Sequence, residues 1–177
     1  MKKESKTLAN AKRLCAAGVL SALGFAFMYF GALTGVLDLC AVVVGAVCCA
    51  FAVMELSGMW PWLVATVTGA LCLLLLPDKF AALEYIALGG LYPILKAYFE
   101  RLPRIPSWCL KVVCFNLMLT ACLLLARFVL GIGEDWVALN VAVYAVANAF
   151  FVLYDIALTT FISFYLKRIR GRLKIRF

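Results

Sequence analysis

Residues 36–77, VLDLCAVVVGAVCCAFAVMELSGMWPWLVATVTGALCLLLLP, decide the fold. Two uncharged runs, Leu39–Met54 and Trp60–Leu76, are apolar on every side and meet at a tight turn over Leu56–Met59. A helix apolar all round is buried in a large core or in lipid, and about 20 such residues span a bilayer. Both runs are a little short of that length. Outward from them, longer runs cover Leu14–Leu37, Ala81–Tyr98, Trp108–Leu130 and Trp136–Leu166. The sequence therefore predicts an all-α membrane protein, a compact bundle of six transmembrane helices in a single domain over 1–177. The last run exceeds what a membrane needs, so it is expected to tilt or project from it.

Composition points the same way. The chain is 67% apolar and 15% charged, with a mean hydropathy of +1.05. A soluble domain of 177 residues keeps too much surface for its volume to hide that apolar content. The net charge of +8 is confined to the two ends and one central loop, which argues against a nucleic-acid-binding face. The first apolar run is too long for the core of a cleaved signal and reads as a retained helix.

Charge orients the bundle. Five Lys/Arg precede the first run, four lie within Lys96–Lys111 and six lie in the stretch KRIRGRLKIR (167–176). Six spans with both termini in the cytoplasm put all fifteen on the cytoplasmic side and leave Lys79 and Arg127 outside. Asp38, Asp78, Glu84, Glu134 and Asp135 then fall at or near the outer side. Trp60, Trp62, Trp108 and Trp136 mark span ends at headgroup depth, and Pro77, Pro103 and Pro106 lie in connections. Gly131 and Gly133 open a short outer turn. The expected location is the cytoplasmic membrane, multi-pass. The terminal basic stretch reads as a topology anchor, with recruitment of anionic lipid as the alternative.

Chemistry-bearing motifs are sparse. There is no histidine, no G-x-S-x-G and no glycine-rich phosphate loop, so no enzyme activity and no cofactor are expected. Eight cysteines sit in or beside apolar runs without C-x-x-C spacing and read as small hydrophobes, so no metal site is expected. Glu55 stands alone at the short turn after the second run.

Three constellations remain. On the first run Gly18, Ala22 and Ala26 form a ridge at four-residue spacing, suited either to packing inside the bundle or to docking a partner membrane subunit. On the sixth, Tyr144, Asn148, Asp155 and Thr159 share a stripe. A carboxylate as deep as Asp155 needs a partner, and Asn116 or Lys111 on an antiparallel neighbour is at the right depth, giving a buried polar clasp of Asn116 and Asp155 or a lysine pair. On the fourth, Tyr85, Gly89, Tyr92 and Lys96 share one face, with Pro93 expected to kink the helix because it cannot bond Gly89. Glu84 and Tyr85, with Trp136, Asn140, Tyr144 and Asn148, are candidates to line an externally open, mostly apolar substrate pocket.

The step Ala22-x-x-x-Ala26, the basic tail running into an alanine-rich first helix and the two short helices of residues 36–77 resemble the substrate-binding S components of energy-coupling factor transporters. The resemblance covers nearly the whole chain. It implies capture of a micronutrient from outside, docking through Gly18, Ala22 and Ala26 on a transmembrane coupling subunit, and ATP chemistry in two cytoplasmic ATPases rather than here. No vitamin-specific signature is present, so no substrate carries over. The LDL start of the second helix (37–39) and the short helices after it also resemble cell-shape membrane proteins of the MreD type, which implies a structural or assembly scaffold without a small ligand.

Overall fold

The computed structural model describes residues 2–35, 37–56, 58–128 and 141–170. Every element among them is helical. In chain order these are α1 (Lys2–Thr34), α2 (Asp38–Glu55), α3 (Trp60–Leu75), α4 (Lys79–Phe99), α5 (Arg104–Phe128) and α6 (Val141–Phe164), the last continuing through a π-helical turn over Tyr165–Ile169. Five of the six are long and apolar enough to cross a membrane. The exception is α3, whose 16 residues extend only about 24 Å at the rise of an α-helix. The chain is thus a multi-pass helical membrane protein. For α2, α3 and α4 the helix bounds lie within about two residues of the apolar runs, whereas α1 begins at Lys2, well before Leu14, and α5 begins at Arg104 and takes in Pro106, expected in a connection. The expected start of the sixth run and the turn at Gly131–Asp135 lie outside the described residues.

The turns explain the short second and third helices. Gly35 and Gly58 take φ of +64° and +68°, a left-handed conformation that costs other residues energy, and each reverses the chain next to a helix end. Between α3 and α4, Asp78 caps the new helix by accepting from the Phe80 amide at 2.8 Å. Lys79 donates from Nζ to the carbonyls of Leu73 and Leu76 at 2.9 and 2.7 Å, satisfying orphaned acceptors at the end of α3.

Successive helices alternate in direction. One end of the bundle gathers Asp38, Asp78 and Glu84, and the other gathers Glu55, Glu100, Arg101, Arg104 and Arg170. These are called the acidic and basic ends. At the basic end Glu55 is not alone: it accepts from Tyr165 at 3.2 Å and pairs with Arg170 at 3.3 Å, tying the ends of α2 and α6 together.

Small residues bring α1 to α4 together. A methyl group at Gly31 would sit 2.4 Å from Ala41 Cβ, so α1 and α2 cross at a contact only glycine admits. Tyr85 from α4 is wedged between Gly45 of α2 and Gly89 of its own helix, and joins Met28, Val42, Cys72 and Leu76 in a buried cluster. The inward face of α1 carries Ala17, Ser21, Gly24 and Met28; Gly18 and Ala22 are exposed and Ala26 half-buried. The Gly18–Ala22–Ala26 ridge therefore largely faces away from the bundle.

The expected kink at Pro93 takes another form. Residues Tyr85–Leu91 slip into a π-helix, with the Tyr92 amide bonding back to Ala87. In that register the amide that would reach Leu88 belongs to Pro93, which has none. The Leu88 carbonyl is instead satisfied from another helix, by the Tyr154 hydroxyl at 2.7 Å.

Candidate functional site

Helices α5 and α6 are held to each other by a polar ladder. Tyr144 and Thr120 share a hydroxyl bond of 2.8 Å. One turn further, Asn116 and Asn148 exchange reciprocal amide bonds of 2.9 and 3.0 Å, and each side-chain amide also donates to a carbonyl four residues back in its own helix. Fully satisfied, such a pair is stable in apolar surroundings where a single amide would not be. Asn116 therefore clasps Asn148, not Asp155.

The lowest rung is charged. Asp155, 2% exposed, receives Lys111 Nζ at 3.0 Å, the Tyr92 hydroxyl at 2.5 Å and Lys96 Nζ, which is 1% exposed. Lys96 also donates to Thr159 at 2.7 Å and pairs with Glu100 at 2.8 Å, while Lys111 reaches Glu100 at 3.4 Å. Two lysines and two carboxylates thus form a neutral group of four joining α4, α5 and α6. Ionised groups at this depth persist only when paired in this way. The sequence pointed to Lys111; Lys96 and Glu100 went unrecognised as its companions. Their spacing of four residues on a helix was the available signal.

Between that cluster and the acidic end lies a cavity of about 530 Å3, bounded by α2, α4, α5 and α6. An aromatic floor closes its deep end: Phe115 and Phe151 stack with centroids 4.3 Å apart, and Tyr154 lies beside them. Tyr92 packs edge-on to Phe151 from the other side while its hydroxyl holds Asp155, so one ring links floor and charge cluster. Higher up, the walls are Leu88, Met118, Leu119, Val146 and Ala147. At the acidic end they are Leu39, Phe80, Ala142 and Glu84. The cavity falls in the size range of small-molecule sites, which are mostly apolar with few polar groups.

Among the described residues Glu84 is the one charged residue in the lining. Among the described residues it has no hydrogen bond or ion pair, and the charges acting on it are two further carboxylates, Asp38 and Asp78. Of the residues expected to line a pocket here, Glu84 does so. Tyr85, one residue on, points instead into the cluster between α2 and α4. Tyr144 and Asn148 face the ladder, because their hydrogen-bonding groups find partners on α5. Trp136 and Asn140 lie outside the described residues. The apolar walls carried no sequence signal, since residues facing lipid, a core and a cavity look alike in such segments.

Among the described residues no group of three or more His, Cys, Asp or Glu side chains could hold a metal ion. Cys49 and Cys72 are buried, and Cys49 donates weakly to the Gly90 carbonyl at 3.4 Å. Comparison with family models, with curated proteins and with solved structures gave no match.

Proposed function

We propose that this chain is the substrate-capture subunit of a bacterial membrane transporter, taking a small micronutrient into the cavity beneath Glu84. The carrying observation is that cavity: roomy, walled by four helices, floored by Phe115, Phe151 and Tyr154, with one carboxylate near its acidic end that is unpaired among the described residues. Filling such a space with side chains would stabilise the bundle, so its being left open supports a binding role over a scaffold. The proposal includes six spans, α3 among them, with both termini in the cytoplasm of the cell that carries the protein in its cytoplasmic membrane. The positive-inside bias supports this orientation and makes the acidic end the outer one.

In this reading the chain performs no catalysis. A transmembrane coupling subunit with cytoplasmic ATPases docks on the outward Gly18–Ala22–Ala26 ridge, where small side chains permit close approach of another helix. The test is purification of the full chain in phosphatidylcholine nanodiscs, followed by a thermal-stability screen of vitamins and their precursors. A ligand present at 100 times its Kd should stabilise by about 2.7 kcal/mol. Co-purification with ATPase subunits would agree with the proposal. Absence of any stabilising compound, with partners drawn only from cell-wall assembly, would replace it with the MreD-like scaffold reading.

A further inference from the structure

Glu84 makes the cavity more than an apolar space. A carboxylate next to hydrocarbon walls lacks the water that normally stabilises it, and here no lysine or arginine among the described residues compensates it. Lys79, the nearest cation in sequence, is bonded to the carbonyls of Leu73 and Leu76 at the end of α3. Asp38 and Asp78 add negative potential at the same end. A cleft lined by charges of one sign and walled by apolar side chains concentrates ions of the opposite sign.

We infer that the cavity selects an amphiphilic cation: a molecule with an apolar, preferably aromatic body and one protonated nitrogen. The body lies among Leu88, Leu119, Val146 and Ala147 and against the Phe115–Phe151 floor. The nitrogen bonds Glu84. Each half matches a feature that the other leaves unsatisfied. A bare metal ion does not fit, because hard cations require six or more oxygen ligands and, among the described residues, Glu84 is the one carboxylate in the lining. A carboxylate-bearing ligand would meet Glu84, with the negative potential of Asp38 and Asp78 added at the same end. This inference rests on the capture reading and narrows its substrate class.

The experiment uses a matched pair of probes, 4-phenylbutylamine and 4-phenylbutan-1-ol, with the full chain in zwitterionic phosphatidylcholine nanodiscs. Affinities are read by calorimetry. The amine should bind at least about tenfold more tightly than the alcohol, as a charge-assisted hydrogen bond implies. Glu84→Gln should bring the amine down to the level of the alcohol. Ala147→Trp, which fills the cavity from α6 and leaves the Glu84 carboxylate in place, should abolish both. Equal affinity of amine and alcohol for the unmodified chain would overturn the cation preference and leave the capture reading standing. Amine binding that survives both substitutions would overturn the inference by placing the amine elsewhere. Binding of neither probe would overturn it too, and only a blank vitamin screen besides would sink the capture reading. If Glu84→Gln fails to fold, the amine–alcohol comparison and Ala147→Trp decide alone.

Discussion

Replacing Asp155 by alanine tests the charge cluster most directly. The carboxylate accepts from Tyr92, Lys96 and Lys111, and removing it leaves two lysines facing one remaining acid. The group of four passes from neutral to a net charge of about +1 in a site where Lys96 is 1% exposed. Breaking a buried pair by removing one partner costs about 3–5 kcal/mol. Glu100, 39% exposed, still pairs with both lysines and holds the loss toward the lower end of that range. The expected loss is therefore about 3 kcal/mol, or about 6–12 °C in Tm for a chain of this size. The assay is thermal unfolding in nanodiscs without ligand. A second substitution supplies the control: adding Lys96→Met restores neutrality, so the double variant should regain at least about 1 kcal/mol over Asp155→Ala alone. A loss below about 1 kcal/mol in the single variant would refute the reasoning. So would a double variant no more stable than the single one, because charge imbalance would then not be the cause.

Two other predictions concern packing. Gly45→Ala places a methyl group 2.7 Å from the Tyr85 ring and should cost about 1–3 kcal/mol, whereas Gly18→Ala meets nothing within 4 Å and should leave Tm unchanged or slightly raised; equal losses would refute the assignment of inner and outer faces of α1 and α2. Asn116→Leu and Asn148→Leu should each cost about 0.6–1.7 kcal/mol by thermal unfolding, and the double variant should cost less than their sum. Additive losses would mean that the two amides do not stabilise each other.

Several features were legible in the residues. Apolar runs at least as long as a bilayer is thick dictate spanning helices, because an unsatisfied backbone is too costly in hydrocarbon for other structures. The turns at Gly35, Gly58 and Pro77–Asp78 fall where glycine, proline or charge interrupts those runs, although α1 begins among the charged residues at Lys2 and α5 takes in Pro106. The depth of Asp155 required a partner, and the antiparallel register put Lys111 within reach.

Tertiary structure decided which side of each helix meets what. In a soluble helix polarity marks the outside, but here lipid, core and cavity are all apolar, so periodicity does not separate them. Tyr85 and Glu84 illustrate the consequence. They are adjacent and equally plausible as pocket residues by sequence, yet a step of about 100° around the helix sends one between Gly45 and Gly89 and leaves the other in the cavity lining. Gly18 and Ser21 divide in the same way, one outward and one inward. The register slip before Pro93 adds a local cause that no pattern announces: it leaves the Leu88 carbonyl for Tyr154, whose ring forms part of the cavity floor. The sequence by itself determined a membrane bundle and the need to pair its buried charges. Only the packed arrangement decided that four of those charges neutralise one another while Glu84 stands unpaired among the described residues.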